Sequence, residues 1–296
     1  MRLGLQVERF DFPGGNGAIG PTLGRIGRDA DDAGVSSLWV MDHLFQIGHN
    51  GPPEDPMLEA YTALAFLAGQ TTRITLGSLV TAAIYRYPGV LVKTVTSLDV
   101  LSGGRAWLGI GAAWNEAESK ALGIPFPPLG ERFERLEETL RIAHAMWSGD
   151  ESPIHGTHYQ LERPLDSPPS IQRPHPPILI GGGGEQRTFR LIARYADACN
   201  LFAPNADYLK GKLSVLRERC DEIGRPWSEI EKTALKRLAL DPGGDVAQQA
   251  LDQLAPLAEL GIDHAIVQVN RFWEPGAVER LADVVAAVGP LVPAGR

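Results

Sequence analysis

The chain has 296 residues, of which 44% are hydrophobic and 22% charged, with a formal net charge of -8. This is ordinary globular composition at a length that suits one α/β barrel. The acidic balance disfavours nucleic acid or an anionic membrane as partner, and no run reaches the ~18 apolar residues a membrane span needs.

Short apolar runs alternate with helical patterns from end to end. Residues 3–7 read as the first strand, and residues 22–34 as a helix with Leu23, Ile26, Ala30 and Ala33 at three- and four-residue steps. Residues 37–43 form the second strand and 57–69 the second helix. Residues 74–83 form the third strand, and the helix over 88–101 stops at Ser-Gly-Gly (102–104), glycine being the usual stop signal. The fourth strand, 106–112, precedes a helix over 131–148. Residues 149–177 are proline-rich and hold a weakly alternating run at 155–161, which predicts a short inserted hairpin. Strands over 178–182, 198–203, 233–240 and 265–269 then alternate with helices over 186–196, 207–223, 246–260 and 276–289. Eight strands and eight helices predict a (β/α)8 TIM barrel over residues 1–296, with an insertion after the fourth helix. Nearly all-apolar strands suit a parallel sheet buried on both faces.

No signal peptide is expected, because MRLGLQVERFD lacks an apolar core followed by a cleavage site. Cys199 and Cys220 lack metal-ligand spacing and read as buried reduced thiols, so the cytoplasm is favoured.

In such barrels the loops after the strands build the active site. The first strand leads into a glycine-rich loop (8–21), which is either a lid or a plain surface excursion. The second ends in Asp42-His43, and a histidine there can donate a hydrogen bond, move a proton or bind a metal. Nothing in the sequence brings His43, His49, His155 and His158 together with a carboxylate, so no metal is expected. The fourth strand runs out through Ala112, Ala113, Trp114, Asn115 and Glu116. Trp114 can stack on a ring, Asn115 bond it and Glu116 move a proton; alternatively Asn115 caps a helix and Glu116 sits in its first turn. The fifth strand ends in Gly181, Gly182, Gly183 and Gly184, followed by Glu185. Four glycines before a helix expose backbone N–H groups suited to a phosphate. There is no GxSxG nucleophile elbow. Asp42 and Glu116 could form a carboxylate pair, but nothing in the sequence sets their separation.

SLWVMDH (37–43), ITLGSLVTAAIYRYPGVLVK (74–93), LDVLSGGRAWLGIGAAWNEAE (98–118), PPLGERFERLEETLRIAHAMW (127–147) and PILIGGGGEQRTFRLIARYADACNLF (177–202) carry a resemblance. Over about residues 1–270 the chain resembles the luciferase-like monooxygenase superfamily, in its branch of oxidoreductases using coenzyme F420. The resemblance implies a deazaflavin across the strand ends, with His43 near its reactive carbon. It implies a non-prolyl cis peptide at Leu79–Val80 bracing the ring, with Thr81 beside it. It also implies the cofactor phosphate at Gly181–Gly184 and Glu185, and a homodimer. Some sugar-phosphate dehydrogenases of the family carry a catalytic Glu where Trp114 stands here, which argues against a sugar-phosphate substrate. The expectation is hydride transfer between F420 and a small organic molecule. His43 is the hydrogen-bond donor or acid/base, and Asp42 orients it or is structural. The alternatives are an FMN-dependent monooxygenase and a non-catalytic flavin- or deazaflavin-binding protein.

Overall fold

The computed structural model describes residues 1–294. The chain begins with β1 (Arg2–Val7), α1 (Asn16–Asp32), β2 (Ser37–Val40), α2 (Ala60–Ala68), β3 (Thr75–Ser78), β4 (Thr81–Ala82) and α3 (Pro88–Ser102). It continues through β5 (Ala106–Gly111), α4 (Glu116–Ala121), α5 (Leu129–Ser148) and a hairpin of β6 (Ile154–His155) and β7 (Gln160–Leu161). Then follow β8 (Ile178–Gly181), α6 (Thr188–Tyr195), β9 (Ala198–Phe202), α7 (Ala206–Glu222), β10 (Glu231–Leu238), α8 (Val246–Glu259), β11 (His264–Val269) and α9 (Leu281–Val288).

The strands lie in the order β3-β2-β1-β11-β10-β9-β8-β5-β4, and β3 also pairs with β5. Every pairing in this sheet is parallel, so it closes on itself as a (β/α)8 barrel. β3 and β4 form a single stave, interrupted at Leu79–Val80, where the peptide bond is cis. The sequence reads residues 74–83 as one strand. The break falls within its apolar run, which periodicity alone cannot divide.

Two apolar cores result. One lies between the sheet and the helices; the other fills the barrel with Trp39, Leu79, Trp107, Leu179, Ala198 and Ile266. The indoles of Trp39 and Trp107 meet edge to face at 5.7 Å. Small residues make room for them: a Cβ on Gly77 would lie 2.5 Å from Cζ3 of Trp39. This is the tight complementarity a filled barrel requires.

Helix α1 begins at Asn16, well before residue 22. Ile19 extends the buried stripe of Leu23, Ile26 and Ala30 by one turn, and that burial outweighs a glycine-rich start and Pro21. Helix α4 follows the second of the two readings of this segment, with Asn115 as its cap and Glu116 in its first turn. Helix α3 starts with Pro88 and ends at Gly103, whose φ of 73° is the left-handed cap that glycine favours. The hairpin is docked by Glu138 of α5, which accepts hydrogen bonds from the backbone N–H groups of Thr157 (2.7 Å), His158 (3.1 Å) and Tyr159 (3.1 Å). Among the described residues, no helix is long and apolar enough to cross a membrane.

Candidate active site

The open end of the barrel gathers the residues that follow the strands. After β2, the chain reaches Asp42 and His43, whose side chains leave in different directions. Nδ1 of His43 lies 2.6 Å from Oε1 of Glu118 in α4. Glu118 is buried, and its carboxylate also accepts from the N–H of Leu44 (2.9 Å), the N–H of Phe45 (3.2 Å) and the hydroxyl of Tyr85 (2.6 Å). Burial alone would raise the Glu118 pKa. The bonds from His43 and Tyr85, with the charge and backbone interactions, outweigh it, and Glu118 is held below the usual carboxylate range. Tyr85 shifts upward, first by burial and then by that carboxylate, and stays a donor. An ionised Glu118 makes Nδ1 the protonated, donating nitrogen of His43. Nε2 has no partner among the described residues.

Asp42 is fully enclosed. It receives both arms of the Arg86 guanidinium, at 2.6 and 2.9 Å. Arg86 also bonds Glu59, the capping residue of α2, and lies 4.9 Å over the ring of Tyr61. Burial raises the Asp42 pKa and Arg86 only partly offsets it. Asp42 therefore ties the end of β2 to residue 86 and does not face the mouth.

The other expected residues divide in the same way. Trp114 is 63% exposed, and its ring meets His43 edge-on at 5.2 Å. It is presented by Ala113, whose φ of 66° is left-handed. Ala112 ends the same stave, half-buried. Asn115 is a helix cap, and Glu116 points outward, 54% exposed and paired with Lys120 at 2.8 Å. Glu116 therefore does not join His43; Glu118, two residues on, does. Thr81 turns away from the mouth: its hydroxyl is buried against Tyr61 (2.8 Å) and Ser78 (2.6 Å).

Leu79 and Val80 lie between β2 and β5, and the glycines opposite them are needed for that fit. A Cβ on Gly109 would fall 1.8 Å from the carbonyl oxygen of Ser78, and one on Gly181 would fall 2.9 Å from Val80. Gln6, on β1, donates to the Leu79 carbonyl at 3.4 Å and accepts from Gln268 at 2.8 Å. Gly182 has a φ of 125°, open only to glycine, and its N–H donates to the Asn200 carbonyl at 3.2 Å; the N–H groups of Gly183 and Gly184 have no acceptor among the described residues. Lys212 of α7 reaches the Gly183 carbonyl (2.9 Å) and Glu185 (2.7 Å), placing a cation beside these glycines that the sequence did not reveal. A groove of about 1070 Å³ lies between α5, α6 and α7. Its Arg194 and Arg219 are paired with Glu137 and Glu222.

The luciferase-like monooxygenase family model matches residues 12–289, and the chain belongs to that family. An F420-dependent glucose-6-phosphate dehydrogenase of Kineococcus radiotolerans is 30% identical over 290 residues, covering 96% of this chain and 80% of that protein. Among solved structures, an F420-dependent secondary alcohol dehydrogenase with an F420–acetone adduct superposes with a TM-score of 0.80. It is 17% identical and covers 97% of this chain and 98% of its own. A riboflavin lyase with modified FMN and riboflavin superposes at 0.81, with 15% identity and 98% and 91% coverage. At these identities the two superpositions show the shared barrel.

Proposed function

We propose that the protein is an F420-dependent oxidoreductase that transfers hydride between the deazaflavin and a small organic substrate. The observation that carries this reading is His43 held on a buried, ionised Glu118 at the barrel mouth, beside the Leu79–Val80 bulge. Naming of a 30%-identical relative as F420-dependent supports it.

The residues present fit such a group. Leu79, Val80 and the glycines packed on them offer a flat backbone surface for a ring. Gly183 and Gly184, with Lys212 behind them, offer backbone N–H groups and positive charge for a phosphate. The bound deazaflavin supplies the hydride chemistry. His43 then hydrogen-bonds the reacting substrate oxygen, or moves its proton, through Nε2, while Glu118 fixes the ring orientation and tautomer. Trp114 walls the pocket next to His43. Asp42 and Arg86 hold the backbone that carries the histidine. The small substrate is bounded by the chain that leaves the strands at the mouth, residues 8–15, 45–57 and 112–128. Trp114, at the position of an acid in sugar-phosphate dehydrogenases, favours a less polar molecule.

The test is a titration of the purified protein with F420 and with FMN, followed by ring fluorescence. Tighter binding of F420 is expected, and a preference for FMN of about tenfold or more, about 1.4 kcal/mol, overturns the reading.

A further inference from the structure

Glu8 immediately follows β1. Strand alternation turns Gly4, Gln6 and Glu8 to the barrel interior in ascending order. A Cβ on Gly4 would meet Ser37 and His264 near the floor, and Gln6 bonds Gln268 and the Leu79 carbonyl above it. Glu8 is therefore the uppermost of the three, on the strand adjoining the one that leads to His43. The residue is 4% exposed, and its Oε2 has no hydrogen-bond partner among the described residues.

The groups nearest to it are committed elsewhere. Gln46 donates to the Glu8 backbone carbonyl at 3.2 Å and accepts from Ile47 at 2.9 Å. Arg9, on the same loop, is held by Asp11. Arg237, at the upper end of β10, turns to Gln268 (3.2 Å) and Asn270 (3.4 Å). Arg9, Asp11 and Arg237 are the charged groups that act on Glu8, and none bonds it. Burial dominates and pushes the carboxyl up to about 7, and a bond from the residue's own backbone N–H only partly offsets it. Native interiors seldom leave a buried carboxyl oxygen unpaired. At the mouth of a barrel, the missing partner is most simply a ligand atom.

We propose that Glu8 is a second acid/base of the site, hydrogen-bonded through Oε2 to the hydroxyl or carbonyl oxygen of a small alcohol or ketone. This assignment rests on the F420 reading. In the oxidative direction the alcohol O–H breaks and its proton passes to Glu8. The C–H bond breaks and its electron pair leaves as hydride to the oxidised deazaflavin, and the C=O bond forms. The alcohol is oxidised by two electrons and the cofactor reduced by two; ketone reduction reverses each transfer. Glu8 and the His43–Glu118 pair thus present two proton-handling groups in contrasting environments, one a carboxyl with an oxygen left unbonded and one a histidine oriented by a carboxylate that satisfies four donors.

Infrared difference titration of wild type and Glu8→Gln, with F420 bound and acetone as the probe, tests this. The wild type is expected to show a protonated-carboxyl band that is lost between about pH 6 and 8, is missing in Glu8→Gln, and shifts when acetone is added. With any secondary alcohol the wild type oxidises, Glu8→Gln is slowed ~10²-fold and loses the kcat limb governed by this carboxyl. Glu8→Asp recovers part of the rate, and both variants bind F420 within about threefold of wild type. F420 binding accompanied by a band that ignores acetone overturns the assignment of Glu8 alone. Absence of F420 binding in the parallel fluorescence titration overturns both readings.

Discussion

At the residue scale, the site depends on one carboxylate satisfying four donors. Glu118 orders the turn after β2 through the N–H groups of Leu44 and Phe45, and it sets the His43 tautomer. Glu118→Gln keeps the shape but removes the charge and places an amide N–H₂ among donors. Bonds to buried charged groups are worth about 1.5–3 kcal/mol each, and the variant is expected to lose stability on that scale at neutral pH. The folded-state pKa of Glu118 is depressed, so its contribution is fully present above the unfolded value. It is lost as pH falls through the folded value, and the variant's deficit should shrink in acid. Denaturant melts of both proteins at about pH 7 and pH 4 check this; a deficit equal at both would show that the charge is not what matters. His43→Ala, which leaves that turn in place, should keep cofactor binding within about tenfold and lose ~10²-fold in turnover. His43 was legible because a strand-end histidine in a barrel mouth is conspicuous in any such sequence. Glu118 was not, since it lies far along the chain and Glu116 drew the acid role. One signal was present: Asn115 followed three residues later by Glu118 is the pattern that opens a capped helix. Asn115 does cap, but the Glu118 side chain reaches across to His43 in place of closing back on the cap.

At the element scale, buried carboxylates pin irregular chain to regular helices. Glu138 of α5 accepts from three successive N–H groups of the hairpin turn, and Asp99 of α3 accepts from those of Ile171 (2.6 Å) and Gln172 (3.1 Å). Glu138→Ala leaves these hairpin donors without their acceptor. The expected cost is about 1–3 kcal/mol in stability, with faster hydrogen exchange confined to residues 155–161. Unchanged exchange there would mean that the hairpin is held by its own pairing. The insertion itself was legible from its prolines and weak alternation, and the strands and most helices from apolar periodicity. The break of the third stave at Leu79–Val80 was reached only through the family resemblance, and the early start of α1 was not reached at all. Both are set by packing: glycine-backed contacts at Leu79–Val80 and the burial of Ile19 override what the local sequence favours.

At the scale of the whole molecule, the two ends of the barrel handle polar groups in opposite ways. At the floor, His264 is buried with Nδ1 at 3.1 Å from Glu231 and Nε2 at 3.0 Å from Ser37, which also accepts from Trp39. Burial lowers the His264 pKa and Glu231 restores only part of it, so the neutral ring belongs to the folded state. Between its folded and unfolded values the unfolded chain binds more protons, and stability falls as pH drops below ~6.5. Glu8 at the mouth acts in reverse. Its folded value is raised from 4.5 to about 7, so the folded state binds more protons across that window and stability falls as pH rises through it. His264 therefore favours neutral to alkaline solution, whereas Glu8 favours mild acid. Glu8→Gln removes the second effect alone. Its stability relative to wild type should improve by about 3 kcal/mol between about pH 4 and pH 8, while the acid-side loss set by His264 remains. Guanidinium melts of the two cofactor-free proteins across that range read the difference directly. A difference independent of pH would place the Glu8 carboxyl in a well-bonded environment, and would remove the contrast between a floor built for stability and a mouth left open for a ligand.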